Sequence, residues 1–222
     1  MADFSKGFDL VDHHSLLAEL RALDVHPVIM RWICAFLSNR PLRVKIGSSV
    51  SPPVYPNGGI PQGTKLAPML FAILVNRLVA QWPTRVKYVD YTTVFEVVTR
   101  CSTSYLQFAV SDIRSFASSK GMRLNPKKCR ELVINFLLYL PVSPGMLFIG
   151  GSPVRRVETY KILGVHLSSD LTWNVHIEYI MKKVRKRLYA LRSLKKAGVQ
   201  PSDLVGIYCA LIRTVLEYAA PV

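Results

Sequence analysis

Apolar side chains recur at three- and four-residue intervals along several stretches of this 222-residue chain, the mark of helices with one buried face. Leu16, Leu17, Leu20 and Leu23 form the first set and Ile29, Ile33, Phe36 and Leu37 the second, with Pro27 between them as a helix start. Pro68 to Val79 is apolar almost throughout and predicts a buried helix. Leu106 to Lys120 is amphipathic and closes at Gly121. Elsewhere the period shortens. Arg43 to Ile46 predicts a strand ending at Gly47, and Arg85 to Val98 two strands around a turn. Glu131 to Tyr139 and Val157 to Leu167 are strand-like, whereas Ser48 to Gly63 is dense in Pro and Gly and reads as loop. Beyond Trp173 the helical pattern returns. Ile177, Ile180, Met181, Val184, Leu188 and Leu191 make one stripe ended by Gly198. Asp203 to Tyr218 makes a last helix with Ser202 or Asp203 as its N-cap. The pattern gives an α+β body over 1–140, a hairpin region over 141–170 and a helical region over 171–222.

Composition narrows this picture. Half the residues are hydrophobic, which excludes a disordered basic tail. Lys and Arg number 29 against 14 Asp and Glu, a net charge of +15. A folded protein carries that charge on its surface, so the expected partner is a polyanion: nucleic acid first, an anionic membrane second, with a general solubility charge as the plain alternative. The charge is concentrated: Lys182, Lys183, Arg185, Lys186 and Arg187 occupy the polar face of the helix after Trp173. Its apolar stripe lacks Trp and Phe, so no stable membrane association is expected. The run Leu66 to Val75 contains Pro68 and is too short to span a bilayer. Cys34, Cys101, Cys129 and Cys209 form no CxxC pair, which argues against structural zinc. The start has no apolar leader, so an intracellular, reducing compartment with free thiols is expected.

Three short motifs carry the chemistry. The first is Asp3-Phe4-Ser5-Lys6-Gly7-Phe8-Asp9. The second, Gly58-Gly59-Ile60-Pro61-Gln62-Gly63-Thr64-Lys65, nearly spells a phosphate-binding loop, but Thr64-Lys65 stands where Lys-Ser/Thr is required, and loop rather than strand precedes it. The third, Tyr88-Val89-Asp90-Tyr91, lies between two strand-like runs, where an Asp alone would mark only a turn.

Together and in this order the motifs resemble reverse transcriptases of non-LTR retrotransposons, close to the jockey-like elements. ADFSKGFDLVDH is similar to that family's first catalytic motif, usually DFSKAFD. GGIPQGTKLAPMLF is similar to its template- and nucleotide-positioning loop, and KYVDYTTVFE to its Tyr-x-Asp-Asp hairpin. GMRLNPKKCRELVINF resembles the next palm motif, and YKILGVHL with DLTWNVHI the primer-grip hairpin and thumb entrance.

The resemblance implies a polymerase palm, an antiparallel sheet packed on helices, followed by a helical thumb with the fingers largely absent. It implies DNA synthesis from dNTPs on an RNA template and DNA primer, in the nucleus. Two Mg²⁺ ions, or Mn²⁺ in their place, would be held by Asp3 and Asp90, since hard carboxylate oxygens suit such ions. Lys128, with Lys127 as a rival, would stand near the pyrophosphate. Phe8 would reject ribonucleotides at the sugar, or serve only as a core residue. Gln62 and Gly63 would face the nascent base pair, or form only a turn. Lys182, Lys183, Arg185, Lys186 and Arg187 would grip duplex phosphates, or form only a solvated face.

The chain departs from the family pattern in ways that bear on activity. Tyr91 replaces the second Asp of the hairpin, and a phenol is uncharged near neutral pH. Gly7 replaces the usual Ala. Only Met1 and Ala2 precede Asp3, which predicts a frayed end there and a truncated enzyme lacking fingers and endonuclease. The expectations are therefore an impaired polymerase, or alternatively a non-catalytic nucleic-acid-binding remnant of a retrotransposon.

Overall fold

Helix-start chemistry sets the first elements. In the computed structural model, which describes residues 1–99, 102–136 and 144–220, the Asp12 carboxylate accepts from Ser15 N at 2.8 Å and caps α1 (His13–Ala22). Pro27 opens α2 (Pro27–Leu37) behind a His26 cap. Among the described residues the chain divides into two compact units, residues 1–131 with 144–155 and residues 132–136 with 156–220.

The first unit begins with a short strand, β1 (Ala2–Asp3), ahead of the two helices. A small hairpin follows, β2 (Lys45–Ile46) and β3 (Ser49–Val50), turning at Gly47 with φ +59°. Next come α3 (Leu66–Leu74), β4 (Arg85–Tyr88), β5 (Tyr91–Val94) and α4 (Leu106–Ser119). Three two-residue strands, β6 (Arg130–Glu131), β7 (Phe148–Ile149) and β8 (Ser152–Pro153), complete it. A further short strand, β9 (Arg155–Arg156), lies where the chain passes from one unit to the other.

The functional scaffold is a three-stranded antiparallel sheet in the order β1-β5-β4. Its core is built from Phe4 of the first motif, Leu16 and Leu20 of α1, Leu37 of α2, and Leu70, Phe71 and Leu74 of α3, all at 2% exposure or less. Each such side chain contributes ~1.5–3 kcal/mol by leaving water. Glu19 is buried on the same face of α1, where Lys120 at 2.6 Å and Arg77 at 3.5 Å neutralise it.

Several expectations need correction. The strand expected over 43–46 is shorter, and the expected loop 48–63 contains β3 and a Leu42–Val54 bridge, because Gly47 lets the chain turn back at once. The buried helix expected over 68–79 runs Leu66–Leu74. Of the strand expected over 131–139, only β6 forms among the described residues; 132–136 is irregular and 137–139 lies outside them.

The second unit contains the hairpin β10 (Thr159–Ile162) and β11 (Val165–Ser168), closed by Leu163 and Gly164 at φ +47° and +93°. The long helix α5 (Asn174–Lys196) follows and stops ahead of Gly198 at φ +85°. Its stripe is only partly covered. Val184 is buried, Ile180, Leu188 and Leu191 are half-buried, but Ile177 and Met181 are exposed. The last helix divides into α6 (Pro201–Tyr208), a π turn over Cys209–Arg213 and α7 (Thr214–Leu216). Its cap is Gln200, not Ser202 or Asp203, because Pro201 takes the first helical position. Among the described residues Cys34, Cys129 and Cys209 are free thiols, and no helix is long and apolar enough to cross a membrane.

Candidate functional site

Asp3 is not frayed. It is 6% exposed and pairs with Tyr91 in the β1–β5 register. The strand holding it is tied down by a distant segment: Asn125 N donates to Asp3 O at 2.9 Å, Ser5 N to Arg123 O at 2.8 Å, and Arg130 N to Met1 O at 3.1 Å. Ordered pairing on both sides of β1 overrides the fraying that its position in the sequence suggested.

The β4–β5 hairpin brings the second carboxylate to Asp3. Tyr88 pairs with Tyr91, which leaves Val89 and Asp90 as a two-residue turn. Val89 sits at φ +54°, a left-handed conformation that a β-branched residue adopts only at a cost of ~1–3 kcal/mol. Asp90 then lies near enough to Asp3 to act on its charge. Burial raises the Asp3 carboxyl above its ordinary value, the Lys128 ammonium opposes this, and Asp90 adds to the rise. Lys128 Nζ stands 3.8 Å from Asp3 Oδ2, so Lys128 rather than Lys127 faces this carboxylate. Among the described residues Asp3 Oδ1 is buried without a hydrogen-bond partner. Opposite residues of an antiparallel pair share a sheet face, so Tyr91 stands on the face of Asp3. Among the described residues no cluster of three or more His, Cys, Asp or Glu is assembled; the site offers two carboxylates.

The glycine loop is laced to the first motif. Gly59 N donates to Val11 O and Ile60 N to Phe8 O, both at 2.8 Å, and His13 Nε2 lies 2.7 Å from Gly59 O. Gln62 is exposed, and its Nε2 donates to Asp9 Oδ1 at 2.9 Å. Gly63 is open on all sides at φ +82°. The Phe8 ring stacks on Phe71 at 4.7 Å and is half-buried. The structure thus brings Asp3, Asp90 and Lys128 together and holds Phe8, Gln62 and Gly63 in one loop-on-loop assembly.

The basic residues lie on α5 of the second unit. Lys182, Lys183, Arg185 and Lys186 are exposed, whereas the Arg187 guanidinium donates to Leu211 O. Lys183 stands over the Tyr179 ring at 4.5 Å.

Residues that the sequence reading did not single out also shape the site. Asp9 fixes the Gln62 amide. Lys87 of β4 reaches back to the end of α3 and donates to Val75 O at 3.0 Å and Asn76 O at 2.8 Å. Burial and then the charge of Arg85 lower the Lys87 pKa to about 8. The alternation in Arg85 to Tyr88 could have suggested that Lys87 shares a sheet face with Arg85, but its carbonyl partners have no local signal.

The family model for reverse transcriptase (RNA-dependent DNA polymerase) matches residues 1–167. The chain is 27% identical over 240 residues to the RNA-directed DNA polymerase from mobile element jockey of Drosophila melanogaster, a match covering 99% of this chain and 25% of that protein. It is 24% identical over 222 residues to the retrovirus-related Pol polyprotein from type-1 retrotransposable element R2 of Popillia japonica, covering 90% of this chain and 34% of that protein. A probable RNA-directed DNA polymerase from transposon BS of Drosophila melanogaster is 22% identical over 203 residues, covering 86% and 22% respectively. The chain therefore spans about a quarter to a third of the length of these relatives.

Proposed function

Because the chain belongs to the reverse transcriptase (RNA-dependent DNA polymerase) family, of the non-LTR retrotransposon type, we propose that its first unit is a polymerase palm that extends a DNA primer on an RNA template at a much reduced rate. The observation that carries this reading is the meeting of Asp3, Asp90 and Lys128 at one end of the three-stranded sheet.

Two carboxylates, one with a buried oxygen that no group among the described residues satisfies, are a donor set suited to a hard divalent cation. Asp3 and Asp90 would hold Mg²⁺, which when bound activates a 3′-hydroxyl and neutralises the leaving pyrophosphate. Lys128 would give charge or a proton to that leaving group. Phe8, braced by Phe71, would stand against the nucleotide sugar. Gln62, its Nε2 committed to Asp9, would use its carbonyl oxygen as an acceptor for the dNTP, with Gly63 allowing close approach. The α5 region would act as a thumb, its five basic residues holding primer–template phosphates without reading sequence.

Tyr91 is what limits the rate. It adds no negative charge and sets a ring on the face of Asp3. Loss of one charged group at a phosphoryl-transfer site lowers the rate by on the order of 10²- to 10³-fold. Primer extension on an RNA template with dNTPs and Mg²⁺ tests this. Tyr91→Asp should raise the yield above the parent chain and Asp90→Ala should abolish it. Equal yields from all three would refute the assignment.

Tyr91 also favours a second reading, a nucleic-acid-binding protein without catalysis. It predicts RNA–DNA duplex binding with little sequence preference and a log-affinity slope against log salt of about −4 to −5 if all five basic residues of α5 meet phosphates. Affinity that survives neutralisation of those five residues would end this reading.

A further inference from the structure

The second unit contains a cavity of about 220 Å³ lined by residues of β10, α5 and the chain's last helical segment. Lys161 and Lys183 both reach its wall, and no carboxylate lines it. Both ammonium groups stand 4.5 Å from the centroid of one ring, that of Tyr179. Lys161 Nζ donates to Tyr179 Oη at 2.8 Å. His166 of β11 packs against the same ring at 4.6 Å, and its Nε2 is buried without a partner. His176 completes the wall, its Nδ1 accepting from His166 N at 3.3 Å.

Two cations brought to one phenol repel each other, and a bound anion relieves that repulsion more than water can. The phenol itself reports the field: hydrogen bonds from Lys161 and then Lys183 lower the Tyr179 pKa to about 8. Glu217 of the last helical segment is paired with Arg213 at 2.7 Å. Among the described residues the cavity wall thus gathers two ammonium groups and no carboxylate.

We propose that this cavity binds a phosphomonoester dianion, with the 5′-phosphate end of a nucleic-acid strand as its favoured form. A monoester carries a charge of about −2 at neutral pH and so matches two ammonium groups, whereas a backbone diester carries one charge. A recess also suits a chain terminus better than a phosphate flanked by sugars on both sides. Binding there needs no polymerisation, so it can be tested whether or not the palm is active.

The experiment uses the full chain and fluorescence anisotropy with one DNA sequence bearing either a 5′-phosphate or a 5′-hydroxyl. The phosphorylated strand should bind about tenfold tighter, the scale of two charge-assisted contacts partly screened by salt. Lys161→Gln should remove that preference, while Lys161→Arg should keep it. Lys161 is exposed, so the variants are expected to fold, which circular dichroism checks. Inorganic phosphate and a deoxynucleoside 5′-monophosphate are added as competitors. If they erase the preference, free phosphomonoesters occupy the site as well; if they do not, the strand end is the ligand. Equal affinity of the two strands with no calorimetric binding of the monophosphate overturns the proposal, as does a preference that survives Lys161→Gln.

Discussion

Replacing Gly59 by alanine should destabilise the first unit far more than the same change at Gly63, although the two glycines share nearly the same φ, +83° and +82°. Both substitutions force an L-residue into the left-handed region, which costs ~1–2 kcal/mol. At Gly63 nothing lies within 4 Å of the added methyl, so the cost ends there. At Gly59 the new Cβ would stand 2.9 Å from Asp9 O, 3.2 Å from Asp9 Cα and 3.3 Å from Asp9 C. These are main-chain atoms of a segment pinned by the Phe8 and Val11 carbonyl bonds, so they cannot turn aside. Overpacking against such a wall adds ~1–3 kcal/mol. The expected losses are therefore ~1–2 kcal/mol for Gly63→Ala and ~2–5 kcal/mol for Gly59→Ala. Urea unfolding followed by the fluorescence of Trp82, which packs against the first unit's core, measures both. If the two variants differ by less than about 0.5 kcal/mol, the contact between loop and first motif is not the constraint described here.

The ion pair at Glu19 gives a second expectation: Lys120→Ala should cost ~2–3 kcal/mol in thermal unfolding by leaving a buried carboxylate short of charge, whereas Arg77→Ala, which removes a side chain that is itself 62% exposed, should cost under ~1 kcal/mol. The raised pKa of Asp3 sets a pH dependence of opposite sign for stability and for cation binding. Just above the ordinary value of 3.8 the folded chain keeps a proton that the unfolded chain has lost, so this group's contribution to stability falls as pH rises through that window. Affinity for Mn²⁺, read by water proton relaxation, should rise through the same window and vanish in Asp90→Asn. Lys87 behaves in the other direction: between about 8 and 10.5 the unfolded chain binds the extra proton, so stability should increase with pH there, and Lys87→Met should flatten the urea midpoint across that range.

Much of the helical structure was legible because its residues obey a local rule. Asp12 caps α1, Pro27 starts α2, and Gly121 and Gly198 end helices at positive φ, as their chemistry requires. The β4–β5 hairpin was legible from Tyr88 to Tyr91 because two β-rich runs bracket a short turn. The state of Asp3 was not. The partners of its segment, Arg123 for Ser5, Asn125 for Asp3 and Arg130 for Met1, contribute main-chain groups, and no side-chain pattern announces them. Of the β2–β3 hairpin only the first strand was legible, in the alternation of Arg43 to Ile46; β3, two exposed residues long, has no apolar alternation of its own. The Tyr179 cavity joins residues from β10, α5 and the end of the chain, and only folding puts Lys161 and Lys183 on one ring.

The way β1 is held bears on how this sequence can change over generations. Main-chain bonds from Ser5, Asn125 and Arg130, with the Phe4–Leu124 bridge, frame Asp3 without depending on which side chains those positions carry. Random substitution across 123–130 therefore removes surface chemistry long before it removes the frame. Side-chain identity and main-chain architecture are uncoupled there: a change at a hairpin residue such as Tyr91 leaves the main-chain bonds that seat Asp3 in place.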